Sequence, residues 1–433
     1  MKQLKMFVTL ATILALASPA FAEMKLNGYY RMTGVYQDIK SKSNDPEAES
    51  LVDQRIRMKL SDKLNENVTF VYYGEVDTVW GEQSKGKVGG GGQLGTDGVN
   101  IETKNAYVDL KVPESDWALR VGLQGINDNL SGMVIDEDAA GVVVKGKLAG
   151  NNVGLIYSKF DEKVRTENDD TDFYGAQINR NFGEQFNLGG EAYLFDDNLT
   201  KKKIYYYGAT ADYKLKDYDI NGFLVMQNGS TDTTNVDSQA FAASIKGSMT
   251  LPKGNLGLRF IYVSPDDSAT DDNAWQSSIG EWEFAGENLM IFLPDKLINN
   301  SGYPRYAMVD GAMAGFGMTG LVASANLNDL PLGLYSKLGL GAFMAADDRR
   351  NGSKASHVAG DLVTASSDTR AGSMMGYEIA ARVGKVIAEK FDISLRGAYA
   401  SYGDFYDDTV DANGTVTNPD NVYKIAMMVN VNF

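Results

Sequence analysis

The chain has 433 residues, with 41 Lys and Arg against 57 Asp and Glu, one His and no Cys. That acidic balance leaves no cationic surplus to neutralise phosphates, which argues against a nucleic-acid partner. The missing cysteines remove disulfides, thiolate metal sites, thiol nucleophiles and thioether-linked haem.

In chain order, the first 22 residues read as a secretory leader. Lys2 and Lys5 form its charged start, residues 6–17 its apolar stretch, and Ala20-Phe21-Ala22 its small-x-small cleavage site. Removing it takes two lysines, leaving 39 basic residues against 57 acidic ones and a net charge of −18. No later run of 18 or more apolar residues suggests a transmembrane helix. Residues 23–433 then form one domain without an internal boundary.

Past the leader, a period of two dominates, as half-buried strands require. Leu26, Gly28, Tyr30, Met32, Gly34 and Tyr36 alternate with polar neighbours. Val52, Ile56, Met58 and Leu60 then alternate with Asp53, Arg55, Arg57 and Lys59. The pattern runs to the carboxy terminus, where Tyr423, Ile425, Met427, Val429, Val431 and Phe433 share one phase. Eight short polar turns and nine longer connections separate the segments, which predicts eighteen strands. An even count with short and long connections alternating fits a closed transmembrane antiparallel β-barrel better than a sandwich of this length. The segment within 314–326 has small apolar residues on both faces; without that hairpin the count is sixteen.

Phase assigns faces, because hydrocarbon offers polar groups no partner. Arg31, Arg55, Arg57, Arg120, Arg382 and Arg396 are expected on the water side, with Asp53, Glu75, Asp77, Asp109, Glu191, Glu378 and Asp392. Five of the six arginines come from the first two strands and the last few, which adjoin in a closed barrel and so form one basic wall. Tyr29, Tyr73, Tyr107, Tyr193, Tyr205, Tyr207 and Tyr335 are expected inward too, where stacked rings could serve a saccharide or simply line a barrel wall. His357 lies in a long connection with no partners nearby that complete a catalytic constellation. No enzyme activity, cofactor or metal site is therefore expected.

The terminal alternation ending in Tyr423 and Phe433, the opening Leu26-Asn27-Gly28-Tyr29-Tyr30-Arg31, and the pair of segments 105–110 and 119–124 resemble the Gram-negative outer-membrane porins. Leu123 stands where many porins have Arg, and a Pro-Glu-Phe-Gly-Gly sequence is missing from the third long connection. The resemblance implies a barrel recognised through its last strand by the outer-membrane assembly machinery. It also implies a homotrimer among lipid and lipopolysaccharide that passes small hydrophilic solutes and ions passively. In porins the third loop folds into the lumen, so Asp128, Asp136, Glu137 and Asp138 become candidate constriction acids facing the arginines. The alternatives are a substrate-specific channel, or a barrel sheath around a cytochrome in an electron conduit.

Overall fold

The computed structural model describes residues 24–38, 49–82, 92–94, 101–231, 236–266, 268, 271–276, 287–292, 315–348, 372–407, 409–410, 416–417 and 421–433. The leader and His357 lie outside them. Strands β1 (Lys25–Asp38), β2 (Glu49–Asn65), β3 (Val68–Val79), β4 (Glu102–Lys111), β5 (Ala118–Asn127) and β6 (Asp136–Leu148) follow one another as antiparallel neighbours. So do β7 (Asn151–Asp161), β8 (Thr171–Phe182), β9 (Phe186–Asp197), β10 (Lys202–Lys214), β11 (Tyr218–Thr231) and β12 (Val236–Leu251). The last part holds β13 (Gly254–Val263), β14 (Met318–Leu330), β15 (Leu334–Met344), β16 (Met374–Ile387) and β17 (Phe391–Tyr402). A small ladder of β18 (Thr409–Val410) and β19 (Val416–Thr417) precedes β20 (Val422–Asn432).

β20 pairs with both β17 and β1, so the 18-stranded sheet closes on itself and has no free edge. Closure lets every strand satisfy its backbone polar groups within the sheet, as a bilayer demands. Phe433 extends the seam, its N–H donating to Gly28 O at 3.0 Å while Gly28 N–H donates to Phe433 O at 2.9 Å. The hairpin of β14 and β15 is present, so eighteen is the strand number and sixteen is not.

The outer phase is apolar and uncovered: Leu224, Leu340, Ile379 and Leu395 are 47–60% exposed. A belt of Leu and Ile in water would be an aggregation surface; against lipid it is the expected lining of a barrel wall. Tyr36 and Tyr423, neighbours on β1 and β20, have ring centroids 6.0 Å apart at the long-connection end. Phe433 is exposed at the opposite end.

The inner phase is only partly polar. Phe173, Tyr193, Ile204, Tyr206, Phe223, Val225, Ile261 and Val263 point inward from β8 to β13 and are buried. They are covered by two stretches of connecting chain that enter the lumen, residues 128–135 and parts of the long connection after β13. One expectation about tyrosines fails here. Tyr205 and Tyr207 are exposed on the outer face, and it is Tyr206, fully buried, that points inward. Three consecutive tyrosines carry no alternation; the phase of β10 is set by the pairing of Thr210 with Phe223 and of Asp212 with Asn221.

Candidate functional site

The basic wall runs over β16, β17, β20, β1 and β2. Register places Arg382 opposite Arg396 and Arg31 opposite Arg55, with Arg57 opposite Tyr29. Directly opposed cations at the roughly 5 Å spacing of strand neighbours would repel by about 3 kcal/mol at an effective dielectric near 20. Carboxylates from adjoining strands relieve most of this. Arg55 donates from Nε and Nη2 to Asp77 at 2.8 Å each, and its Nη2 lies 3.1 Å from Glu75. Arg57 also pairs with Glu75. Arg382 Nη2 donates to Asp392 at 2.7 Å, and Tyr335 OH donates to the same carboxylate at 2.7 Å.

Arg31 and Arg396 are held differently. Arg31 is 4% exposed, its guanidinium carbon sits 5.5 Å from the Tyr29 ring centroid, and Nη2 has no hydrogen-bond partner among the described residues. Arg396 Nη2 contacts Met428 Sδ at 3.7 Å. Arg120 stands apart, three strands beyond β2, paired with Asp109 at 2.7 Å and stacked 4.1 Å over Tyr107. A surface pair of that exposure stabilises little, ~0–1 kcal/mol. Lys424, 3% exposed on β20, extends the wall and was not singled out from the sequence.

Facing this wall across the barrel, residues 128–135 fold inward against β8–β10. Asp128 organises the turn. Its Oδ1 accepts from Leu130 and Gly132 N–H at 2.8 Å, and its Oδ2 from Val134 and Ile135 N–H at 2.7 and 2.9 Å. Burial pushes its pKa up to about 6, while the four amide donors pull it down. Leu130, Met133, Val134 and Ile135 are fully buried beneath the turn. Asn129 donates to Glu191 of β9 from its backbone N–H at 3.2 Å and again from its side chain, and Tyr193 OH donates to the same carboxylate at 2.5 Å. Leu130 lies where a Cβ on Gly208 would come within 2.8 Å of its side chain, so glycine at that point of β10 makes the seat.

The proposed constriction acids therefore sit otherwise than expected. Asp128 turns its oxygens into its own loop, because a tight turn offers unpaired amides closer than any arginine. Asp136, Glu137 and Asp138 are the first residues of β6 and belong to the wall. Asp136 bonds to Asn127, and Asp138 pairs with Lys104 and accepts from Asn105 at 2.7 Å.

The second inserted stretch gave no sequence motif. Residues 271–276 lie on β10 and β11: Tyr206 OH donates to Gln276 O at 2.6 Å, and Gln276 N–H donates to Gln227 Oε1 at 2.8 Å. Trp275 Nε1 reaches Met133 O at 3.3 Å and ties this segment to the third loop. Residues 287–292 cross β12 to β16 as a strap. Glu287 holds Lys246 at 2.5 Å, Arg259 at 3.0 Å and Ser324 at 3.1 Å. Glu378, 1% exposed, accepts N–H from Met290, Ile291 and Phe292 at 2.5, 3.0 and 2.8 Å. Gly339 lets the strap backbone lie flat on β15, since a Cβ there would sit 3.0 Å from Glu287 O and Asn288 C. A signal for both insertions was present: β10, β11 and β13 are apolar on both phases over part of their length, and an inward apolar face needs a cover.

The lumen thus has a cationic wall on one side and, on the other, loop segments whose carboxylates are occupied by amides and cations.

A search of curated protein sequences found no match. Among solved structures, Pseudomonas aeruginosa OccK1 (OpdK) is similar over 95% of this chain and 98% of its own, with a TM-score of 0.57 at 12% identity. OpdK with vanillate matches to the same extent. Acinetobacter baumannii OccAB1 matches 96% of this chain and 98% of its own, with a TM-score of 0.57 at 13% identity. At these identities the likeness concerns the fold. The family model for Gram-negative porins matches residues 9–281. With most of its sequence matched by that model and its strands closed into an 18-stranded barrel, the chain belongs to the Gram-negative porins and is a channel protein of the outer membrane.

Proposed function

We propose that the barrel passes small hydrophilic solutes and ions by passive diffusion, between the basic wall of β16–β2 and the inserted loops. The observation that carries this reading is the asymmetry of the lumen. Arg31, Arg55, Arg57, Arg382 and Arg396 gather on adjoining strands, while Asp128, Glu191, Glu287 and Glu378 opposite or beside them are engaged in holding loops. Polar solutes align in such a field, and apolar solutes gain nothing to offset their entry into it. Planar-bilayer conductance with a reversal potential across a salt gradient tests the reading; a pure, folded barrel that passes no current refutes it.

A second reading, substrate-specific uptake, is favoured by the two loop segments packed inside the lumen, which give the passage a fixed local shape. The structure of Pseudomonas aeruginosa OpdK with vanillate has a similar fold. Saturable uptake and concentration-dependent current block by one solute class would select this reading over general diffusion. The same inward packing speaks against a sheath around a cytochrome, which needs an unobstructed bore. Export through the leader of residues 1–22, recognition of the strand ending in Phe433 by the assembly machinery, and a homotrimer within lipid and lipopolysaccharide complete the proposal. Crosslinking in native membranes checks the trimer.

A further inference from the structure

Below the third loop, on the short-turn side of β7–β11, the inner wall changes character. Asn152 lies opposite Asn179, Asn181 opposite Asn187, Asn187 opposite Asp212, and Asp212 opposite Asn221. These are inward positions of successive strands, and they form a belt of side-chain amides. Asparagine is disfavoured in strands, and Thr or Ser would meet water equally well. The recurrence of Asn across neighbouring strands therefore calls for a reason other than solvation.

The belt lines a cavity of about 470 Å³, bounded by Asn179, Asn181, Asn187, Thr210 and Asn221, with Asn129 of the third loop as part of its roof. Its charged groups offset each other: two acids, Glu184 and Asp212, and two cations, Lys214 and Arg259, border it, and Arg259 is also bonded to Glu287. The amides pair side by side. Asn187 Nδ2 donates to Asn181 Oδ1 at 2.6 Å, and Asn152 Nδ2 donates to Asn179 Oδ1 at 3.0 Å. Each such pair uses one donor and one acceptor and leaves a carboxamide NH₂ on one residue and a carbonyl on the other. A vicinal diol offers the complement, because each hydroxyl both donates and accepts. An apolar solute would strand these amides unpaired, and an ion would find no net countercharge.

We propose that this cavity is a binding subsite for a neutral polyhydroxylated solute, a monosaccharide or sugar alcohol. The inference rests on the channel reading only for how the solute arrives. The size of the cavity falls in the range of small-molecule sites.

Saturation-transfer NMR on the folded barrel in detergent, with D-glucose and sorbitol as probes, reads binding without requiring conduction. A poly(ethylene glycol) of matched size, which lacks vicinal hydroxyls, serves as reference. Saturable transfer to the sugar is expected, weakened about tenfold or more in N181L/N221L, since each lost hydrogen bond is worth roughly a factor of ten at most. The near-isosteric N181D/N221D, which removes donors while keeping shape, guards against misfolding and should weaken binding as well. Transfer no greater than that of the glycol, or undiminished in both double variants, overturns the proposal. A conducting barrel that fails this test loses the subsite and keeps the channel; a silent barrel that passes it loses the channel and keeps the subsite.

Discussion

Glu378 is the point at which the lumen strap can be released by one substitution. Its carboxylate takes the N–H groups of Met290, Ile291 and Phe292 in a buried setting. Hydrogen bonds to a charged acceptor contribute roughly 1.5–3 kcal/mol each, so the three together supply about 5–9 kcal/mol. Burying Leu289, Met290, Ile291 and Phe292 adds about 6–12 kcal/mol at roughly 1.5–3 per side chain. Fixing the six backbone units of residues 287–292 costs about 6–12 kcal/mol. Burial and ordering nearly cancel, so the Glu378 bonds decide whether the strap stays docked. E378A is expected to free the 290–292 end, while Glu287 still holds the other through Lys246 and Arg259. Because the chain has no cysteine, an I291C thiol reports accessibility without background. It should be unreactive alone and modified readily in E378A, whose single-channel conductance should be higher and noisier. Glu378→Gln keeps one acceptor oxygen and should fall between. A protected thiol together with wild-type conductance in E378A would refute the reasoning, and the strap would then be held by apolar packing and the Glu287 contacts without Glu378.

Neutralising Arg55, Arg57 and Arg396 to Gln should shift the reversal potential toward cation preference. A unit charge acts on an ion about 4 Å away with roughly 1 kcal/mol even in water, about fivefold in permeability ratio; an unchanged ratio would remove the wall from the selectivity mechanism. Asp128→Ala strips the acceptors from four amide donors. At roughly 1–3 kcal/mol per buried unsatisfied group the third loop should open, visible as protease cleavage within 128–135; resistance equal to wild type would contradict this. Gly339→Leu places a side chain where the strap backbone lies, and should raise conductance in the manner of E378A while the barrel remains heat-resistant in gels; no change in current would mean that the strap does not narrow the passage.

Much of the wall was legible because a barrel strand must obey one rule along its length. Alternation separated the basic residues of β1, β2, β16 and β17 from the exposed apolar phase of the same strands, and turn chemistry located the hairpins. Legibility ended where that rule relaxes. At Ile204, Tyr205, Tyr206 and Tyr207 both phases are bulky and apolar, and only pairing with β11 shows that Ile204 and Tyr206 face inward. The same doubled apolarity at Ile261, Tyr262 and Val263 signals an inner face that something must cover. Which stretch of the connection after β13 does so depends on contacts distant in sequence, such as Glu378 with Met290. Asp128 illustrates the converse. A carboxylate in an inserted loop looks like part of a field, yet it is consumed locally by four amides.

These carboxylates share a physical origin. A loop brought inside a barrel carries backbone N–H groups that have left the sheet ladder, and it lies on walls whose own backbone is already fully paired. Its amides can turn to water, to wall side chains or to a side chain of the loop itself, and the stretches of Phe173, Tyr193, Tyr206 and Val225 admit little water. A carboxylate is the side chain that can accept several amides at once. Glu191, Glu378 and Asp128 have this geometry, each accepting two or more N–H groups of inserted chain, whereas Glu287, on the strap itself, accepts from Lys246, Arg259 and Ser324 of the wall. The inward acids therefore divide by task. Glu75, Asp77, Asp109 and Asp392 pair with arginines of the wall, and Asp128, Glu191, Glu287 and Glu378 hold chain across the bore.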